Sequence, residues 1–262
     1  MRLIIIILLC LLSYHLNAQV IPISQGHSHN DYERERPLMD ALDVGMTSIE
    51  VDVILADGKV IVSHDAEKYN IDNTIEKMYL IPMKKLIKKR GGSLYSEKSR
   101  RQIQLLIDLK TKGVDILNVL DSILQKYGLL FDKRGLDKRW SPLQIVLSGE
   151  IDKKMILGKK KYQYFHVDGR CADLKKKYPT YEMPLISENY TKHFKWIGLT
   201  ELKMKEKRKL KKLIDKVHSQ GKKIRFWATP DDEKVWSYLL DQGVDYINVD
   251  DLVKFQNYMS TR

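Results

Sequence analysis

The chain has 262 residues, 43% of them apolar, and its 46 Lys and Arg against 34 Asp and Glu give a formal charge of +12. That length and apolar share suit one α/β barrel of about 250 residues with a full core. Two cysteines, Cys10 and Cys171, leave no disulfide framework to stabilise it, so packing must.

Residues 1–18 read as a secretory signal peptide. Arg2 precedes an apolar run from Leu3 to Leu12, and a short polar stretch ends at a small residue, Ala18. The run is too short to span a bilayer, which takes about 20 residues, and Cys10 inside it reads as part of the signal. Export with cleavage near Ala18 is expected, leaving residues 19–262 as a single domain with Cys171 its one cysteine and a charge of +11 once Arg2 is gone.

Strand patterns then alternate with helical ones. Val20–Gly26 is predicted as the first strand, entering His27-Ser28-His29-Asn30-Asp31, and a short helix over Pro37–Val44 closes at Gly45. Thr47–Leu55 is the second strand, turned by Asp57-Gly58 into a hairpin extension over Lys59–Ser63. Residues 66–101 look irregular apart from a helix at Pro82–Arg90, and their length beside a catalytic edge suggests a lid or substrate loop. Further strands are expected at Gln102–Leu109, Leu143–Leu147, Tyr164–Asp168, Met183–Ser187, Lys223–Ala228 and Val244–Val249. Helices are expected at Asp115–Tyr127, Ala172–Lys177, Glu201–Gln220, Asp231–Gln242 and Asp251–Tyr258. Without a linker, repeat or low-complexity tract, the expectation is one irregular (β/α)8 TIM barrel.

Residues 203–223 hold ten Lys or Arg in 21 positions, while Leu210, Leu213, Ile214 and Val217 keep helical spacing. This reads first as an outer barrel helix with a solvated basic face, and second as a peripheral contact with anionic headgroups. No nucleic-acid motif accompanies the charge, and export would remove that partner.

A barrel of this kind places its site at the C-terminal ends of its strands, where several polar residues fall. Glu50 and Asp52 are two residues apart on one strand and face the same way. Paired carboxylates on so apolar a strand repel each other and resist burial, and a hard divalent cation supplies the reason for them. Asp108 and Lys110 repeat the spacing on the next strand. They read either as a plain salt bridge or, beside Glu50 and Asp52, as a third ligand with an ammonium aimed at phosphate. His27, His29 and His64 sit at strand ends beside these acids, suited to proton transfer near neutral pH. His166, His193 and His218 lack that context. Trp227 either fills the barrel end or walls a pocket. Asp168 and Arg170 read as a self-satisfied ion pair. Asn248, Asp250 and Asp251 end the last strand, and Asp251 equally suits a helix cap.

The order HSHNDY, SIEVDV, DGKVIVSHD, IDLK, FWATPD and GVDYINVDDL resembles the phospholipase-C-like phosphodiesterase superfamily over nearly all of the chain after the signal. That group includes glycerophosphodiester phosphodiesterases and sphingomyelinase D enzymes of the spider-venom type, and the likeness is greatest to its altered-inheritance-of-mitochondria branch. The resemblance implies one divalent cation, Mg²⁺ or Ca²⁺, held by Glu50, Asp52 and Asp108. It implies His64 as one catalytic histidine, Lys110 as a phosphate contact and Trp227 as a pocket wall. HSHND fits the family's opening in two registers, so the other catalytic histidine is His29 or His27, with His29 preferred. No Arg follows the first His directly and Asp108 stands where Glu is usual, features that lean toward the sphingomyelinase D side. The expected activity is metal-dependent hydrolysis of a glycerophosphodiester or phospholipid headgroup by two-histidine acid/base catalysis. The alternatives are a phospholipase D-like lyase that releases a cyclic phosphate, and a non-catalytic headgroup-binding barrel.

Overall fold

The structure, a computed structural model, describes residues 20–135 and 139–262; the expected signal peptide, with Cys10, lies outside them. Nine strands form one sheet: β1 (Ile23–Ser28), β2 (Met46–Ala56), β3 (Lys59–Val62), β4 (Ile103–Leu109), β5 (Leu143–Gly149), β6 (Phe165–Gly169), β7 (Leu185–Asn189), β8 (Lys223–Trp227) and β9 (Tyr246–Val249). Eight of them are parallel, and β1 pairs with both β2 and β9, which closes the barrel. The ninth, β3, runs antiparallel to β2. Its turn works because Asp57 and Gly58 both take positive φ, 48° and 71°, the backbone whose twist matches a two-residue hairpin.

The helices α1 (Met39–Asp43), α2 (Ile81–Lys89), α3 (Val114–Gln125), α4 (Tyr190–His193), α5 (Met204–His218), α6 (Glu233–Asp241) and α7 (Leu252–Thr261) cover the outside. Strands buried on both faces need not alternate, and β2 accordingly buries all of Met46–Ile54. The main core lies between strands and helices. A small separate cluster of Leu106, Val146, Leu185 and Tyr246 lies on the strand face that carries Asp108 two residues after Leu106. α5 turns Leu210, Ile214 and Val217 to the barrel, so its apolar stripe faces inward and its lysines face water.

Three expectations need correction. The first strand begins later than Val20, where Ile23 meets Met46, and runs through Ser28, so His27 is a strand residue rather than a loop one. Cys171–Lys176 is a 3-10 helix. Residues 66–101 do not form a lid. A π-helix at Glu76–Leu80 runs into α2, and Tyr79, Leu80, Met83, Ile87, Leu94 and Tyr95 are all buried. The loop after His64 is exposed throughout Asp65–Asn70, and α2 turns Lys84, Lys85, Lys88 and Lys89 to solvent.

Candidate active site

Register builds the site. Parallel pairing sets Asp52 beside Asp108 and Asp108 beside Ser148, so three strands present these side chains at one level of the barrel mouth. Glu50 lies one pleat deeper on the same face. One ligand oxygen from each of Glu50, Asp52 and Asp108 falls within 4.8 Å of the others. Asp52 is buried, and its Oδ2 accepts from Tyr32 Oη at 2.9 Å and from His64 Nδ1 at 2.7 Å, with Lys110 Nζ 3.1 Å away. Its Oδ1 is buried with no hydrogen-bond partner. A buried, unpartnered carboxylate oxygen carries a high desolvation cost, and beside two further carboxylates it has the chemistry of a ligand for a hard cation. The residues therefore fit Mg²⁺ or Ca²⁺.

The electrostatics agree. Burial pushes the Asp108 carboxyl up, and the neighbouring Glu50 and Asp52 charges add to this; Lys110 Nζ, 2.6 Å from Asp108 Oδ2, opposes them without cancelling them. Lys110 is held above its ordinary value because Asp108 and Asp52 outweigh its own burial. Gly149 makes room for Asp108: its φ is +76°, and a Cβ there would collide with Asp108 Oδ1 and the Leu109 carbonyl.

Each residue of the HSHNDY run has its own task. His27 is 0% exposed, with Nδ1 2.6 Å from Ser48 Oγ and Nε2 2.7 Å from Glu50 Oε2. Burial and the adjacent Arg225 guanidinium pull its pKa down to about 4, so it is a neutral imidazole held behind Glu50. Ser28 Oγ donates to Asp31. His29 faces the pocket, its Nδ1 2.7 Å from Asp250 Oδ1. Burial alone would lower the His29 pKa, but the Asp250 hydrogen bond and the Glu50 and Asp250 charges raise it. Asn30 takes left-handed backbone, φ 43°, and turns the chain. Asp31 is buried and accepts from the Leu38 amide at 2.6 Å and from Tyr79 Oη at 2.9 Å, anchoring the loop to the core. Tyr32 ends the run on Asp52.

The pocket encloses about 480 Å³, with His29, His64, Lys110 and Trp227 on its wall. His64 is 66% exposed at the end of the hairpin. Among the described residues the Nε2 atoms of His29 and His64 make no hydrogen bond, and both are available to a substrate. Trp227 therefore belongs to the pocket rather than to the core alone. His193 and His218 pair with Glu188 and Asp245, away from this wall, and His166 is buried on β6.

Two arginines were not anticipated as site residues. Arg225, on β8, lies in the wall and donates from Nη1 to Glu50 Oε2 at 2.6 Å. Arg170 forms the expected pair with Asp168 at 2.7 Å and also lines the pocket. The signal for Arg225 was available: a cation inside the apolar strand KIRFW, two residues before Trp227 and hence on its face. Burial would raise the Glu50 carboxyl, but Arg225 and the His27 hydrogen bond hold it well below the usual range. Lys110, Arg170 and Arg225 thus line a pocket that also holds Glu50 and Asp108, each cation paired with a carboxylate.

Comparison with known proteins places these features in a family. Residues 14–168 match the model described as the AIM6-like phosphodiesterase domain, and residues 223–252 match that of the glycerophosphoryl diester phosphodiesterase family. Altered inheritance of mitochondria protein 6 of Kluyveromyces lactis is 26% identical, over 93% of this chain and 74% of that protein. The protein of the same name from Eremothecium gossypii is 24% identical, over 90% and 70%. Two solved structures share the fold. An Oleispira antarctica phosphodiesterase in complex with the product sn-glycerol-3-phosphate superposes with a TM-score of 0.53 at 13% identity, over 91% of this chain and 97% of that one. A glycerophosphodiester phosphodiesterase from Agrobacterium tumefaciens gives 0.53 at 17%, over 91% and 100%.

Proposed function

Because the chain belongs to the AIM6-like phosphodiesterase domain family, within the phospholipase-C-like superfamily, we propose that it is an exported metal-dependent hydrolase of glycerophosphodiesters or phospholipid headgroups. One observation carries the reading: the Glu50, Asp52 and Asp108 oxygens converge within 4.8 Å, and the buried Asp52 Oδ1 has no partner of its own. These three side chains would hold the cation, which supplies polarisation of the phosphoryl oxygens when bound. With Lys110 and Arg225 alongside, the three carboxylates leave one net negative charge, and a divalent ion turns it into one net positive charge facing a phosphodiester monoanion.

The chain's own groups account for the rest. Lys110 offers a point charge to a phosphate oxygen, and Trp227 bounds the space for the headgroup. Asp52 receives His64 Nδ1 and so orients its free Nε2 to take a proton from the attacking water. His29, whose pKa the Asp250 hydrogen bond raises, donates a proton to the leaving oxygen. His27 keeps Glu50 in place from behind. Residues 1–18 supply the export signal, cut near Ala18.

The test is a panel of glycerophosphodiesters and phospholipids incubated with the protein, with EDTA, and with Mg²⁺ or Ca²⁺ restored. Hydrolysis lost to EDTA and returned by one metal is the expected result. Turnover indifferent to EDTA, or none on any phosphodiester, overturns the reading. Phosphorus NMR of the products identifies the nucleophile, since an accumulating cyclic phosphate would make the substrate's own hydroxyl the attacker.

A further inference from the structure

The connection from β7 to α5 carries large aliphatic side chains that the barrel does not cover. Ile197 is 53% exposed, Leu199 79% and Met204 59%. Single exposed aliphatics are ordinary, but here three fall within eight residues of one anchored segment. The segment that presents them is well anchored. Trp196 Nε1 donates to the Thr200 carbonyl at 2.6 Å and closes the turn, and Tyr190 Oη donates to the Trp196 carbonyl at 3.0 Å. Gly198, at φ +89°, lies so close to Asp232 and Val235 that a Cβ would crowd both. Leu202 is buried. Gly198 and Leu202 therefore face inward while Ile197 and Leu199 are held outward.

Location and charge indicate what meets these side chains. The segment leaves the C-terminal end of β7 and packs on Asp232, the cap of α6, which follows Trp227 at the end of β8. It therefore stands on the rim of the barrel mouth that holds the pocket. Exposed Lys192, Lys195, Lys203 and Lys205 flank the aliphatics, and Glu201 is the single acid between residues 195 and 205. Aliphatic tips in a collar of ammonium groups complement a surface that is apolar below and negative above. We propose that the 195–205 segment docks the barrel mouth on an anionic lipid bilayer, setting the pocket against lipid headgroups. α5 itself stands with its apolar stripe on the barrel, so contact is made by the loop and the first turn of the helix. The substrate side of this inference rests on the phosphodiesterase reading; the docking does not.

The experiment is co-sedimentation with vesicles of phosphatidylcholine alone and of phosphatidylcholine mixed with phosphatidylglycerol, beside turnover of a water-soluble glycerophosphodiester. The protein is expected to bind the mixed vesicles, less so as salt rises. Ile197→Ser with Leu199→Ser should reduce binding at least about tenfold while soluble turnover is unchanged, because neither residue touches the pocket. Absence of binding by the unaltered protein, equal binding by the double variant, or a stable dimer that covers Leu199 would each overturn the proposal. Vesicle binding without turnover of any substrate would leave the docking standing and remove the enzyme reading.

Discussion

Arg225 Nη1 lies 2.6 Å from Glu50 Oε2, although β8 and β2 are separated around the wall by β9 and β1. Both side chains are nearly sealed from solvent, so the pair is a buried ion pair rather than surface decoration. Truncating one partner of such a pair costs roughly 3–5 kcal/mol, because the other charge stays buried alone. Arg225→Met should therefore unfold at clearly lower urea than the parent. Excess Mg²⁺ or Ca²⁺ should recover more stability in that variant than in the parent, since the ion takes over part of the neutralisation of Glu50. Arg225→Lys should fall between the two. Urea midpoints with and without metal test this, and equal metal responses would separate Arg225 from the cation site.

The two candidate histidines at the end of the first strand, His27 within it and His29 just beyond, should respond differently to substitution. His29→Ala removes a pocket-facing imidazole and is expected to lower kcat by about 10²–10⁴ with metal affinity little changed. His27→Ala leaves Glu50 Oε2 short of a donor, so metal affinity and folding should suffer along with rate. Calorimetric metal titration beside steady-state kinetics distinguishes them. A His27 variant that binds metal normally yet does not turn over would reverse the assignment.

His29 owes its raised pKa to Asp250 and Glu50 acting against burial. As a proton donor it fails once deprotonated, so the alkaline limb of kcat/KM reports it. Asp250→Asn should move that limb to lower pH. In stability the same pair contributes fully below the ordinary histidine value, and that contribution fades as pH rises through the elevated folded one. Asp250, held low chiefly by the His29 hydrogen bond, loses its share only as pH falls through its lowered value.

His27 titrates in the opposite sense. Its folded pKa of about 4 lies below the unfolded value, so the unfolded chain takes up a proton first as the solution is acidified. Stability should fall from about pH 6.5 down to about 4, by on the order of 3 kcal/mol. His27→Asn should flatten that slope relative to the parent in urea titrations at pH 7 and pH 5.

Gly149→Ala places a methyl group against Asp108 Oδ1 and adds a side chain at positive φ. The Asp108 carboxylate must then shift, and metal affinity is expected to drop by more than about tenfold, with strain of roughly 1–3 kcal/mol. Isothermal titration with Mg²⁺ and a thermal melt measure the two effects.

Much of this site was legible because spacing in a strand fixes direction. Glu50 with Asp52, and Asp108 with Lys110, had to face together, and the barrel had to bring them to one end. The closed barrel followed from the alternation of short apolar runs with amphipathic stretches. What could not be read was depth and partner choice. His27 and His29 are both near a strand end in the sequence, and only the extension of β1 through Ser28 puts His27 inside the wall and leaves His29 beyond it at the pocket. Asp250 as the partner of His29 depends on β1 meeting β9, a contact between residues more than two hundred positions apart. Residues 66–101 looked like a lid because the π-helix hides the period of its buried face.

The pairing of His29 with Asp250 crosses the line along which the barrel closes, and Arg34 reinforces it by donating to the carbonyls of His29 and Asp250. The three acids come from β2 and β4, adjacent strands in the first half of the chain, whereas His29 gains Asp250 only when the residue after β9 meets the end of β1. The carboxylate cluster is thus a product of neighbouring strands, while the His29–Asp250 pair exists only once the barrel is closed.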